Sequence, residues 1–131
     1  MRAIVVSAAV IERDDAFLMT RRAADAHLAG RWEFPGGKQE AGETAEEALR
    51  RELHEELGCD AVVGALLLTT AHAYPEVHVT LNFFATTLTT VPSPQLGQEM
   101  RWVSRTELAS LPLPEADADL VALLTSPERY G

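Results

Sequence analysis

The apolar positions of the chain change their period from one segment to the next, and that change predicts the elements. Residues Ala3 to Ile11 form a β-branched, apolar run; Glu12 to Asp15 are polar; Ala16 to Arg22 are again largely apolar. Two short apolar runs separated by a polar turn predict a β-hairpin. Ala61 to Thr70 is a second strand candidate. Val77 to Leu88 is a third, and there Val77, Val79, Leu81 and Phe83 alternate with His78, Thr80 and Asn82, the period-2 signature of a strand with one covered face. Met100 to Val103 predicts a short last strand. Between Thr44 and Leu57 the spacing shifts to four, with Leu49, Leu53 and Leu57 forming one stripe of a helix. Thr44 and Glu47 make a capping box at its start, and Gly58 supplies its C-terminal stop. Further helices are expected at 117–124 and 106–111. The order predicts an α/β fold, a sheet flanked by helices on both sides.

The predicted helix carries more than its leucines. Glu52, Glu55 and Glu56 stand at i, i+3 and i+4, so they share an arc of roughly 100° beside the stripe. Three carboxylates on one face repel one another, and clustered hard oxygens are what Mg²⁺ or Mn²⁺ prefers. A solvated acidic face is the ordinary reading of such a triplet. The preceding segment Glu33-Phe34-Pro35-Gly36-Gly37-Lys38 argues for the other one. Its paired glycines permit close backbone approach, and they can aim carbonyls or amides at a metal or phosphate.

Composition narrows the function classes. With 131 residues, 47% of them hydrophobic, and neither a spacer-like stretch nor an internal repeat, the chain predicts one domain spanning 1–131. A net charge of -9 argues against long nucleic acid as a partner, since a basic surface is needed to replace its counterions. A small anion needs only local help, and eight of the eleven Lys and Arg residues fall within the first 51 positions. Cys59 is the only cysteine, which predicts no internal disulfide and a reducing, cytoplasmic setting. No stretch reads as a signal peptide or a membrane span.

Gly37, Glu43 and the run Arg51-Glu52-Leu53-His54-Glu55-Glu56-Leu57-Gly58 have the spacing of the Nudix box. Every charged and glycine position of the box is filled; only Cys59 departs, standing where an aliphatic residue is usual, and it is read as a small packing residue. With Thr20 to His27 and Glu33 to Lys38, the chain resembles the MutT-like branch of the Nudix hydrolases, the 8-oxo-dGTP and CTP pyrophosphohydrolases. The resemblance weakens after about Gly58. It implies an α/β/α sandwich with a central mixed β-sheet, and a Mg²⁺- or Mn²⁺-dependent cleavage of a nucleoside triphosphate to monophosphate and pyrophosphate. It also implies a metal set of the Gly36 carbonyl, Glu52, Glu55 and Glu56, with Glu52 or a loop carboxylate as base. Glu99, three residues before Trp102, is the loop candidate, and a plain surface charge is its alternative. Glu43 is expected to hold the helix start or Arg51, and Arg51 to pair with Glu47 and Glu55 along the helix.

For the substrate, Arg22 and Lys38 are the cations expected on the phosphates, and the resemblance adds His27 and the Phe34 backbone for the nucleotide. Asp117 falls where MutT-like enzymes read the base. An ionised aspartate only accepts and suits an exocyclic amine such as that of cytosine, whereas a protonated one donates as well. Capping the last helix is its ordinary alternative. The oxidised guanine nucleotide is the first expectation and a cytidine triphosphate the second. Trp32 and Tyr74 are candidate stacking aromatics, with a half-buried aromatic at a strand end as the ordinary alternative. A fold that binds nucleotide without cleaving it has no need for the full carboxylate set. The chain is expected to be a monomer or homodimer.

Overall fold

The computed structural model describes residues 2–21 and 30–126. Its first strand, β1 (Arg2–Val10), is buried on both faces from Ser7 onward, so it needs partners along both edges. It finds β5 (Gly36–Lys38) antiparallel on one side and β7 (Val77–Leu88) parallel on the other. With β6 (Ala61–Tyr74) antiparallel to β7, this makes a mixed four-stranded sheet in the order β5-β1-β7-β6. The second sheet is antiparallel and centred on β3 (Ala16–Arg21). It has β8 (Glu99–Ser104) along one edge and the two-residue strands β2 (Glu12–Arg13) and β4 (Trp32–Glu33) on the other.

The predicted hairpin between the first two apolar runs is therefore corrected. The turn exists, with Asp14 and Asp15 at φ of 51° and 62° as a two-residue hairpin loop of mirror-image twist requires. But it joins only β2 to β3, and β1 belongs to the other sheet. A strand covered on both faces gains more from two central partners than from a local one at an edge. The other boundaries move modestly. β6 runs on to Tyr74, and the helix expected at 106–111 is the single turn α2 (Arg105–Leu108). The last helix begins with a 3₁₀ turn at Glu115–Asp117 and continues as α3 (Ala118–Thr125).

Helix α1 (Ala45–Leu57) follows its sequence signals. Glu47 N–H donates to Thr44 Oγ1 at 3.1 Å, and Thr44 N–H donates back to Glu47 Oε1 at 2.8 Å. Gly58, left-handed at φ 58°, closes the last turn through His54 O. Leu49, Leu53 and Leu57 are fully buried against Ala9, Ile11, Leu18, Phe84 and Cys59. On the opposite faces of the same strands Ala8, Val10, Phe17, Met19 and Phe83 pack with Leu108, Leu120 and Leu124 of α2 and α3. Alternate residues of one strand thus feed two cores, one per helical layer, which is the α/β/α arrangement. Among the described residues no helix is long and apolar enough to cross a membrane.

Candidate active site

The glycine pair sits in β5, where Gly36 pairs with Ala8 and Gly37 with Ser7. A Cβ at position 36 would lie 2.0 Å from the Ser7 carbonyl oxygen, so only glycine allows β5 to approach β1 this closely. A Cβ at position 37 would lie 2.3 Å from Glu52 Cδ, so the space a side chain would fill is taken by that carboxylate. Ser7 Oγ donates to the Ala45 carbonyl at 2.9 Å and fastens the start of α1 to the same strand. The two glycines and the helix are thereby fixed around Glu52.

Arg51 organises the charges. Its guanidinium donates to both oxygens of Glu43, at 2.6 and 3.0 Å, to Glu52 at 2.8 Å, to Glu55 at 3.1 Å and to the Lys38 carbonyl at 3.0 Å. Glu55 is the i+4 partner expected from spacing; Glu47 is not bound to Arg51, being engaged in the capping box. Glu43 holds Arg51, one of its two expected roles. That hydrogen bond keeps the Glu43 carboxyl below the usual range, and the Arg51 guanidinium is held more firmly protonated still. Glu52 moves the other way: burial raises its proton affinity more than Arg51 lowers it.

A cavity of about 830 Å³ opens beside this cluster. Gly36, Gly37, Lys38 and Glu56 line one part; Ile4, Val6, Val77, Val79 and Leu81 give it an apolar floor; Glu33, Phe34 and Asp117 stand on its wall. Asp117 is buried at the N-cap position of α3, yet its side chain makes no cap hydrogen bond, so the capping alternative does not describe it. Burial, and then the charge of Glu33, push its carboxyl up to about 7. Tyr74 lines the cavity, packed on His72 at 4.5 Å between ring centroids. Trp32 does not: it is buried, with the Arg21 and Arg101 guanidinium groups 5.1 and 5.0 Å from its ring.

Of the expected site residues, Gly36, Phe34, Lys38, Glu56 and Asp117 border one cavity, with Glu52 behind Gly37 and Glu55 on the exposed side of Arg51. Arg22 and His27 lie outside the described residues. Glu99 is not brought to this cluster. It is paired in register with Arg21 and ion-paired to it, on the strand face opposite Thr20, and Thr20 lines the cavity. From that loop Leu96 and Gln98 line the cavity, and Gln98 donates from Nε2 to the Glu56 carbonyl at 2.9 Å. Sequence reasoning passed over Gln98 because an amide carries no acid–base signal, and over Arg2 and Arg31, which also line the cavity, because nothing in their spacing marks them.

Among the described residues no three side chains converge into a ready metal cage; Arg51 instead offsets the repulsion of Glu52 and Glu55. The donor set nevertheless fits a hard divalent cation: carboxylates of Glu52 and Glu56 beside a glycine backbone, with a side chain excluded at Gly37.

A four-stranded mixed sheet in a three-layer sandwich, with an acidic helix after a glycine strand beside the cavity, is the framework on which these residues meet. Residues 6–123 match the NUDIX domain, and the chain belongs to that family as a Nudix hydrolase. Nudix hydrolases in general need a divalent metal. The chain is 36% identical over 126 residues to the 8-oxo-dGTP diphosphatase of Escherichia coli K12, an alignment covering 95% of this chain and 98% of that one. It is 37% identical to the CTP pyrophosphohydrolase of the same organism, covering 92% and 90%. The solution structure of the E. coli ORF135 protein superimposes with a TM-score of 0.79 at 35% identity, over 92% of this chain and 87% of that one.

The two glycines should fail differently when given a methyl group. Gly36→Ala meets backbone and is expected to lower the denaturant midpoint. Gly37→Ala meets the movable end of Glu52 and is expected to leave that midpoint nearly unchanged while lowering kcat by at least about tenfold, because the displaced Glu52 carboxylate loses its alignment with the glycine strand. Equal activity losses with equal destabilisation would refute the distinction.

Proposed function

We propose that this Nudix hydrolase is a Mg²⁺-dependent nucleoside triphosphate pyrophosphohydrolase, releasing a nucleoside monophosphate and pyrophosphate, with 8-oxo-dGTP as its favoured substrate. The observation carrying this reading is the continuity of one cavity from Gly36, Gly37 and Glu56 to the buried Asp117. Phosphates at the first end place the base at the second. The Gly36 carbonyl, Glu52, Glu55 and Glu56 would hold the cation, and the bound cation would neutralise charge developing on the phosphoryl oxygens. Lys38 and Arg22 hold the phosphates electrostatically, and His27 and the Phe34 backbone position the nucleoside. Glu52, whose proton affinity is raised by burial, accepts a proton from the attacking water. The water oxygen bonds to the β-phosphorus, and the bond from that phosphorus to the oxygen bridging to the α-phosphorus breaks. The bridging oxygen leaves with the monophosphate.

Asp117 decides between bases. Near pH 7 a carboxyl poised at about 7 is present in both forms. Protonated, it donates to a ring acceptor and accepts through its carbonyl, as an asparagine does, which suits the oxidised purine. Ionised, it only accepts, which suits the amine of cytosine. That second form, with the likeness to a CTP pyrophosphohydrolase, supports cytidine triphosphates as the second reading.

Three measurements test the scheme. Glu56→Gln should lower kcat by more than about a hundredfold at saturating Mg²⁺ while the protein stays folded, since a charge serving the transition state is lost and a repulsion is relieved; near-wild-type turnover would remove Glu56 from the metal set. Hydrolysis in ¹⁸O water should put the label in pyrophosphate, and label in the monophosphate would exclude attack at the β-phosphorus. Between pH 6 and 8 the ratio of kcat/KM for 8-oxo-dGTP over CTP should fall as pH rises through about 7, because the donating form of Asp117 is lost. In Asp117→Asn the ratio should be independent of pH and, at pH 8, at least about tenfold above wild type, the scale of one discriminating contact. A ratio unmoved by both pH and substitution would leave base recognition to the backbone around Phe34.

A further inference from the structure

Eleven Lys and Arg residues serve a chain of net charge -9, and the structure sorts those it describes by partner. Arg21, Arg51, Arg101 and Arg105 are ion-paired to acids. Arg13 lies over Trp102. Among the described residues Arg2, Arg31, Lys38 and Arg50 form no ion pair, and three of these four line the cavity; Arg50 does not. In an acidic protein, cations that line a concave surface without an ion-pair partner are available to a ligand.

Arg2 has a defined place on that surface. On β1, Arg2, Ile4, Val6 and Ala8 share one strand face, and all four line the cavity. The row has a direction. Ala8 is paired with Gly36 and Val6 with Lys38 at the phosphate end, while Arg2 is paired with Val77 at the other. At a rise of about 3.3 Å per residue, the Arg2 backbone lies roughly 13 Å along the strand from Val6. That is about the length of a nucleoside, and the floor between is apolar: Ile4, Val77 and Val79. A triphosphate at Lys38 leaves no phosphate for Arg2. What reaches it is the edge of the base remote from the sugar.

We propose that Arg2 is a specificity-determining residue of this site, its guanidinium donating to the ring carbonyl oxygen on the distal edge of the base. The inference rests on the nucleotide reading given above. The N–H donors of a planar fork converge on the lone pairs of an oxopurine carbonyl and meet only an amine at that place in adenine. Arg2 and Asp117 then grip the base from two sides, the arginine always donating and the aspartate donating or accepting with pH.

The test compares wild type with Arg2→Met, Arg2→Lys and, as an off-cavity control, Arg50→Ala. Kinetics are followed with 8-oxo-dGTP, dGTP and dATP, and binding of 8-oxo-dGMP, dAMP and inorganic tripolyphosphate is followed by titration calorimetry. In Arg2→Met, kcat/KM for the two oxopurines and the affinity for 8-oxo-dGMP should drop about tenfold or more. The dATP, dAMP and tripolyphosphate values should change less than about twofold. Arg2→Lys should not restore the oxopurine preference, and Arg50→Ala should match wild type. A uniform loss that includes tripolyphosphate, or full rescue by lysine, would make Arg2 a general phosphate-attracting charge and overturn the proposal, as would no change at all. Should wild type bind the monophosphates yet cleave none of the triphosphates, the hydrolysis scheme falls and the calorimetric comparison still decides the role of Arg2.

Discussion

The site hangs on one guanidinium. Arg51 grips Glu43 in a two-pronged contact from one side and the carboxylates of Glu52 and Glu55 from the other, while also donating to the Lys38 backbone. Without it, the acidic arc on α1 would repel itself, and the loop from Lys38 to Glu43 would have no ionic tie to the helix it precedes. The side chains of Arg51, Glu43 and Glu52 are each about three-quarters or more shielded, so these contacts are less screened than surface pairs, which are commonly worth under about 1 kcal/mol. The arginine is held protonated, so this tie persists across the pH range in which a hydrolase works. An arrangement of this kind holds several carboxylates close together without requiring them to touch.

The two cores determine which way the chemistry faces. Leu49, Leu53 and Leu57 bind α1 to one side of the strands, so the acidic arc, turned away from the stripe, is left at the rim where β5 meets the cavity. On the other side Leu120 and Leu124 anchor α3, whose first residue follows Asp117. β1 passes between both layers and contributes its odd-numbered residues near Ala9 to one and its even-numbered residues near Ala8 to the other. The Glu56 part and the Asp117 part of the cavity are therefore set by opposite layers of the sandwich, joined by one strand. A change in the core of either layer moves one part of the cavity relative to the other, which is how distant packing can alter turnover.

What could be read in the sequence was what is decided locally. The capping box at Thr44 and Glu47, the left-handed Gly58 and the leucine stripe all act within one helix, and the structure reproduces them. Strand partners are chosen at a distance, and so the hairpin expected for β1 gave way to a central place between β5 and β7. Glu99 illustrates the sharpest limit. Its distance from Trp102 is a linear fact, but in a strand one residue exchanges faces, and pairing with Arg21 turns Glu99 away while Gln98 lines the cavity. Asp117 had two readings in sequence, cap or cavity, and only burial without a cap hydrogen bond separates them. Trp32 likewise had two readings, stacking or packed at a strand end, and its burial between two arginines fits the second.

Net charge was the least informative number about where an anion binds. A value of -9 describes the field far from the surface, where salt screens it within about 10 Å. Inside the cavity the potential is set by the nearest groups, and most of the paired arginines are spent elsewhere: Arg105 beneath the β2–β3 turn on Asp15, Arg101 on Glu107, Arg21 on Glu99. Each such pair cancels a charge away from the cavity. Arg2, Arg31 and Lys38 escape that cancellation, and Asp117 gives up part of its own negative charge to burial. The cavity around Asp117 is thereby less acidic than the composition implies. The cavity thus holds Arg2, Arg31 and Lys38 beside Glu33, Glu56 and Asp117, a far more even balance than the net charge of the chain.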